Sequence, residues 1–349
     1  MTQAIALKHM LEDAGHSLEC VLVGTSPRRE IPSFFPERIG VPVTRFESPN
    51  FVPDANNRGI LVGRTMIESL KRSPAFFKSA QEFDRTLREI KPDVVVNFYE
   101  PLFGLYATLR KPQCPSACIA HQCLSLHPAF PFPPGHRRDK SLLRTLTRIT
   151  TSSASAILAL SFTPLDEMNR GRIHVVPPVL RPEVFSHNPT ADDYLLIYVM
   201  SDGYAEDVMA WHKKRPETQL HCFWDRKGAP DEDRRDETLT LHRLSDTGFL
   251  EKMAGCRGLV TTAGFESVCE AMYLGKPVMM IPVHGHYEQL CNSVDGVRAG
   301  AGIRSDGFDL DRFLDYLPTH SHDTDGFRAW VSSAQARIVP ILQSLVTGH

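Results

Sequence analysis

No apolar run in this chain of 349 residues approaches the ~20 residues that a membrane-spanning helix requires, and its first residues contain no apolar core of a secretory signal. A cytoplasmic protein is expected. Neither sign of charge dominates: 39 Lys+Arg stand against 41 Asp+Glu, so nothing global draws the chain to nucleic acid. There is no short-period repeat and no low-complexity tract, which excludes repeat arrays and biased linkers. A disulfide framework is also missing. The eight cysteines are spread along the whole length, several inside apolar runs such as "SACIAHQC" and "ESVCEAMYLG", and read as buried thiols. What is present is enough chain for two domains, each with its own core.

One cysteine-rich stretch invites a metal. In "CPSACIAHQCLSLH", Cys114, Cys118, His121, Cys123 and His127 fall within fourteen residues. If the middle is a strand, Cys118 faces away from His121 and Cys123, and no second cysteine pair of zinc-site spacing follows. No metal is expected.

Strand and helix signals alternate. A helix is expected from the second or third residue, carried by Ala4, Ile5, Leu7, Met10 and Leu11 and ended by Gly15. Strands follow at Leu18 to Gly24 and near Val41 to Phe46, then a long helical region from about Arg58 to Ile90. "KPDVVVNFYEP" reads as a strand buried on both faces, followed by strands in "PSACIAHQ", "ASAILALSF" and "RIHVVPP". This is the rhythm of a doubly wound parallel sheet.

"VPPVLRPEVFSHNPTADD" interrupts that rhythm with four prolines and reads as an interdomain linker. Beyond it the alternation restarts: strands in "YLLIYVMSDG", "QLHCFW", "LTLHRL", "GLVTTAG" and "PVMMIPV", with helices ending near His212, around Phe249 to Ala254, and over "FESVCEAMYLG". Two α/β domains are expected, over residues 1–185 and 186–325, with a C-terminal helical segment over 326–349.

The informative chemistry is in "LVTTAGFESVCEAMYLGKPVMMIPVHGHYEQLCNS". A strand ends at Thr261, a turn holding Gly264 follows, and a helix begins near Phe265. Unpaired backbone N–H groups and the positive helix end then point to one spot beyond the sheet, which suits a diphosphate. Phe265, Val268 and Met272 share one face of that helix, and Glu266 and Glu270 stand on another. Glu270 lies about 9 Å along the axis from Gly264 at 1.5 Å per residue, a fitting distance from a diphosphate to its ribose. Two solvated helix glutamates are the alternative, although like charges at that spacing repel slightly. After the next strand, His284, His286, Glu288, Gln289 and Asn292 crowd into one loop and helix start, facing the same crevice. His284 and His286 lack the companion ligands of a metal site.

This stretch resembles the donor-binding half of GT-B glycosyltransferases. The likeness includes the UDP-GlcNAc-dependent muramyl-peptide transferase, the UDP-glucuronosyltransferase-like enzymes and a closer bacterial group of glycosyltransferases. The resemblance implies two Rossmann-like doubly wound domains facing a central cleft. It puts Thr262, Ala263 and Gly264 at the diphosphate, Glu266 beside them, Glu270 at the ribose, and His284, Glu288 and Gln289 in the loop that meets the donor sugar. Ser201 falls near the phosphates and Leu244 beside the base. The match is strong over about 150 residues from Tyr194 onward.

"FYEPLFGLYA" and "IAHQCLSLHP" resemble two strand-end loops of the bacterial group, so Glu100, His121 and Gln122 are expected on the acceptor side of the cleft, with His121 and Glu100 as catalytic candidates. Glu100 can equally cap the helix after Pro101, and His121 can be a core histidine. In "FPFPPGHRRDKSLLRTLTRI", Leu142, Leu143, Leu146 and Ile149 lie on one helix face, and Arg137, Lys140, Arg144 and Arg148 largely on another. Such a helix can rest peripherally on an anionic lipid surface or guide an anionic or lipid-linked acceptor; a solvated basic face is the commoner case. The segment from Phe327 to Val346 is expected to pack back across the domain junction.

The expected activity is transfer of a hexose or N-acetylhexosamine from a nucleotide diphosphate, UDP by resemblance, to an acceptor that the sequence does not identify. Inversion is implied by the resemblance, and no cofactor is expected beyond the nucleotide-sugar substrate. The acceptor can be a glycan, a lipid-linked sugar or a small molecule. A nucleotide-sugar epimerase of the same fold and a catalytically silent binding protein are the alternatives. In the resembled family a first strand and a glycine-rich turn ending in Gly-His precede a helix like the one at Thr2. The expectation is therefore that Met1 is internal to a longer product.

Overall fold

The computed structural model describes residues 1–25, 31–32, 34–48, 73–165, 171–199, 202–224, 226 and 228–347. In chain order the elements are α1 (Thr2–Asp13), β1 (Val21–Thr25), α2 (Phe34–Ile39), β2 (Val43–Glu47), α3 (Ser73–Ile90), β3 (Val95–Asn97), α4 (Pro101–Arg110) and β4 (Ser116–Ala120). A 3-10 turn over His121–Leu126 leads to α5 (Arg137–Thr150), β5 (Ala156–Leu160), β6 (Ile173–Val176) and the short α6 (Glu183–Ser186). The second half holds β7 (Leu195–Val199), α7 (Asp202–His212), β8 (Leu220–Trp224), β9 (Glu232–Arg234), β10 (Leu239–Arg243), α8 (Asp246–Gly255), β11 (Gly258–Thr261), α9 (Phe265–Tyr273), β12 (Val278–Met280), α10 (Tyr287–Arg298) and β13 (Gly302–Arg304). The chain closes with α11 (Leu310–Tyr316), α12 (Thr324–Ser332) and α13 (Ala334–Thr347).

The second half forms one seven-stranded sheet in the order β13-β12-β11-β7-β8-β10-β9, parallel except for β9. Leu195 to Ile197, Leu259, Val260 and Val278 to Met280 are sealed from solvent, because helices cover both faces, and such strands read as continuous apolar runs. The chain winds from β7 through β8 to β10, then returns to lay β11 on the other side of β7. That reversal opens a crevice beyond the ends of β7 and β11, where doubly wound sheets take ligands.

The first half differs from the single sheet expected. β3, β4, β5 and β6 form a parallel four-stranded sheet, and β1 pairs only with β2. Among the described residues no strand joins the β1-β2 pair to β3. β3 is short, and Val95 and Val96 are half-buried rather than covered on both faces. Most of the helical region expected from Arg58 lies outside the described residues, and α3 carries its C-terminal part.

One reading at the end of β4 is corrected. The strand stops at Ala120 and the chain folds back in the 3-10 turn, so Cys123 Sγ comes within 3.9 Å of Cys118 Sγ instead of facing away. On α5, Thr147 and Thr150 are buried while Leu142, Leu146 and Ile149 are exposed. Leu142, Leu143 and Leu146 line the cleft between the two halves, while α5 meets α4 through small groups. A Cβ added at Gly104 would overlap the Thr150 carbonyl. Gly104→Ala is expected to lower stability by about 1–3 kcal/mol through overpacking, read as a fall in the thermal midpoint. An unchanged midpoint would show that the two helices can separate freely.

α12 packs on α9, whereas α13 packs on β5, β6 and α1. Trp330 Nε1 of α12 donates to the Ser161 carbonyl at 3.0 Å. Among the described residues no helix is long and apolar enough to cross a membrane.

Candidate functional site

A cavity of about 3070 Å³ runs between the two halves and is lined by residues of both. At its centre is the turn from β11 to α9. Gly264 is the N-cap of α9, and no side chain caps the helix, so its first N–H groups face the cleft. The φ of Gly264 is −75°, a value any residue adopts, and a Cβ there would meet only Ser267 Oγ and Thr262 O, both at 3.8 Å. Neither backbone strain nor protein packing requires a glycine. The space that a Cβ would take is cleft space.

About 9 Å further along the axis of α9 at 1.5 Å per residue, Glu270 is buried and gripped by Arg181. Arg181 Nε donates to Oε1 at 2.6 Å and Nη2 to Oε2 at 2.9 Å. This planar, two-bonded pairing fixes the orientation of the carboxylate and gives each buried group its partner. Glu270 is thus not a solvated helix glutamate. Arg181 was missed in the sequence, although one signal was there: a lone arginine after the buried Val179 and Leu180 must find an acid. Glu266 lines the same cleft and accepts from Thr2 Oγ1 at 2.9 Å.

The loop after β12 brings two more groups to the cleft. Glu288, in the first turn of α10, accepts from Gln122 Nε2 across the cleft at 2.8 Å. Burial pushes its carboxyl up to about 7, against the opposing pull of the Gln122 hydrogen bond. Gln289 lines the cleft, and its Oε1 accepts from the Val283 backbone at 2.9 Å. His286 caps α10, and burial lowers its pKa to about 4.

The remaining sequence candidates divide. Thr262 and Leu244 line the cleft. Ala263 is buried and turns its carbonyl to Asn292 Nδ2 at 3.1 Å, and His284 is exposed outside the cleft lining. Ser201 lies outside the described residues. Glu100 lines the cleft while capping α4: Oε1 accepts from Leu102 N at 3.1 Å and Oε2 from Ser48 Oγ at 2.8 Å. His121 and Gln122 also line the cleft, and His121 is almost fully buried there among aromatic side chains. Its ring stacks on Phe265 at 4.1 Å, Nδ1 donates to the Leu160 carbonyl at 2.8 Å, and Nε2 faces Asp295 Oδ2 at 4.0 Å. Burial holds its pKa down at about 4, so it is neutral at pH 7 with both nitrogens turned inward. Among the described residues, no group of three or more His, Cys, Asp or Glu is arranged to hold a metal.

A family model described as "Glycosyl transferase family 1" matches residues 9–318. No curated protein matches the chain. Among solved structures, Arabidopsis thaliana UGT89C1 complexed with UDP-L-rhamnose is 16% identical with a TM-score of 0.61, covering 100% of this chain and 95% of that one. Acinetobacter baumannii MurG is 14% identical with a TM-score of 0.54, covering 98% and 95%. The spinosyn rhamnosyltransferase SpnG complexed with thymidine diphosphate is 16% identical with a TM-score of 0.53, covering 99% and 95%. At these identities the likeness speaks for the fold.

Proposed function

The chain belongs to glycosyl transferase family 1 and is a glycosyltransferase of GT-B fold, and from that premise we propose that it transfers a hexose or N-acetylhexosamine from UDP, with inversion, to an acceptor hydroxyl. The observation that carries this reading is the bare, uncapped start of α9 at Gly264, less than two turns from the clamped Glu270. UDP-L-rhamnose in UGT89C1 and thymidine diphosphate in SpnG supply the ligand class, a nucleoside diphosphate. We assign the donor diphosphate to the N–H groups of the first turn of α9 and the ribose hydroxyls to Glu270. Thr262, Glu266 and Gln289 border the same volume.

In the transfer, the acceptor oxygen attacks the anomeric carbon opposite the diphosphate. The bond from that carbon to the diphosphate oxygen breaks, and its electron pair stays on the departing UDP. The helix end stabilises this growing charge without reorganising. The hydroxyl proton goes to a carboxylate. We assign it to Glu288, whose oxygen already meets Gln122 from the opposite half. A group with a pKa of about 7 can both take and release a proton at neutral pH. Glu100 is the carboxylate that lines the cleft from the acceptor side, and the His121 ring stacks on Phe265.

Because the pKa of Glu288 is raised, its basic form appears only as pH rises through about 7. Turnover of UDP-sugars, to transfer product across an acceptor panel or to free sugar with water, is expected to climb through that range. Glu288→Gln is expected to lose the climb and about 100-fold or more in rate, within the span of general base catalysis. An unchanged pH profile would remove Glu288 from this role. Formation of an epimer of the donor sugar, with neither transfer nor hydrolysis, would favour the epimerase.

A further inference from the structure

We propose that Asp295 is a positioning residue: it shares one proton with His121 across the junction of the two halves, and so holds the His121 ring flat against Phe265 at the start of α9. One face of α10 supports the turn into α9. Glu288, Asn292 and Asp295 follow one another at spacings of four and three residues, which puts them on the same side of the helix. Glu288 accepts from Gln122, Asn292 Nδ2 donates to the Ala263 carbonyl at 3.1 Å, and Asp295 faces His121. The His121 ring lies 4.1 Å from that of Phe265, with only 14° between their planes. Phe265 follows Gly264 directly. α10 therefore reaches the turn from Ala263 on one side and, through His121, from Phe265 on the other.

The contact between Asp295 and His121 is short of one donor. His121 Nδ1 donates to the Leu160 carbonyl, which leaves Nε2 of the neutral ring with a lone pair. Asp295 Oδ2 stands 4.0 Å away and, when ionised, also offers only lone pairs. Both atoms are buried, and neither has a hydrogen-bond partner among the described residues. Two buried acceptors turned toward each other are each left with the cost of desolvation. One proton satisfies both: Asp295 Oδ2–H donates to Nε2, and the gap is expected to close to about 2.8 Å. On the carboxyl the proton leaves the pair uncharged, whereas on the ring it would bury two charges. Burial pushes the Asp295 carboxyl up to about 6, and Arg298 on the same helix pulls it down. The other neighbours add no positive charge. His121 is packed among Phe130, Phe162 and Phe265. Burial raises the thiols of Cys269 on α9 and Cys291 on α10, which stay protonated, and lifts Glu288 to about 7.

The shared proton stands on geometry alone, and its effect on binding rests on the assignment of the diphosphate to α9. The test compares wild type with Asp295→Asn and Asp295→Ala. The asparagine amide donates to Nε2 at every pH and stands in for the protonated acid, whereas alanine leaves Nε2 bare. The folded chain holds the carboxyl proton more tightly than the unfolded chain does. Denaturant unfolding should therefore show wild-type stability falling relative to Asp295→Asn as pH rises from 3.8 through about 6, by about 100-fold in the folding equilibrium constant. At about pH 8 the asparagine variant is expected to bind UDP about fivefold or more tightly than wild type, and at about pH 5 the two are expected to agree. The alanine variant separates positioning from charge. If the Asp295 carboxylate merely repelled the diphosphate, alanine would bind UDP as tightly as asparagine; positioning predicts weaker binding by about fivefold or more. Parallel stability profiles for wild type and Asp295→Asn would overturn the shared proton, and equal UDP binding by the two variants would overturn the positioning role. UDP bound by none of the three proteins would instead remove the diphosphate from α9, and the stability profiles would still decide on the proton.

Discussion

Glu270→Ala is expected to lower UDP affinity about 100-fold, the loss of two hydrogen bonds to a charged acceptor at about 1.5 kcal/mol each. The same change is expected to cost about 3–5 kcal/mol of folding stability, because the Arg181 guanidinium loses the carboxylate that compensates its burial. The two effects must be separated, since an unfolded protein also fails to bind. Replacing both partners does so. Arg181→Met/Glu270→Leu removes two charges together and keeps the volume, a change that is often neutral or stabilising for buried ion pairs. Stability close to wild type with UDP binding still lost would assign Glu270 to the ligand as well as to the fold. UDP bound normally by the double variant would reduce the pair to a structural clamp. Denaturant unfolding and calorimetric titration supply the two readings.

Gly264→Ala is expected to have the opposite profile, with a large effect on binding and almost none on folding. The backbone there is in a region open to alanine, and the added methyl touches nothing closer than 3.8 Å. The small loss at an N-cap and the small gain from a stiffer unfolded chain nearly cancel, leaving stability within about 1 kcal/mol of wild type. The methyl would stand where the diphosphate approaches the first turn of α9. UDP affinity is then expected to fall about 100-fold or more, equivalent to about 2.7 kcal/mol. A variant that binds UDP like wild type would move the diphosphate away from this turn.

The alternation of strands and helices was legible because parallel strands buried on both faces leave unbroken apolar runs, as at "YLLIYV" and "AILAL". The strands that escaped notice, Glu232–Arg234 and Gly302–Arg304, are edge strands three residues long with charged or glycine positions, which carry no such run. The turn at Gly264 was legible because strand, glycine and helix follow one another directly. The partner of Glu270 was not, since Arg181 comes from a segment 89 residues away and only the fold brings them together. His121 had the right residue type for a base, and the chain order could not reveal that Phe265 would cover its ring. On α5 the leucine stripe was visible, yet only the fold shows that Leu142, Leu143 and Leu146 line the cleft while Thr150 meets Gly104 of α4.

The central claim is that a nucleoside diphosphate sits on the first turn of α9. A crystal structure of the chain with UDP tests it most directly. The diphosphate oxygens should lie within hydrogen-bonding distance of the backbone N–H groups that follow Gly264, with the ribose hydroxyls on Glu270. A diphosphate bound elsewhere in the cleft, with the α9 N-terminus left to solvent, would contradict the account.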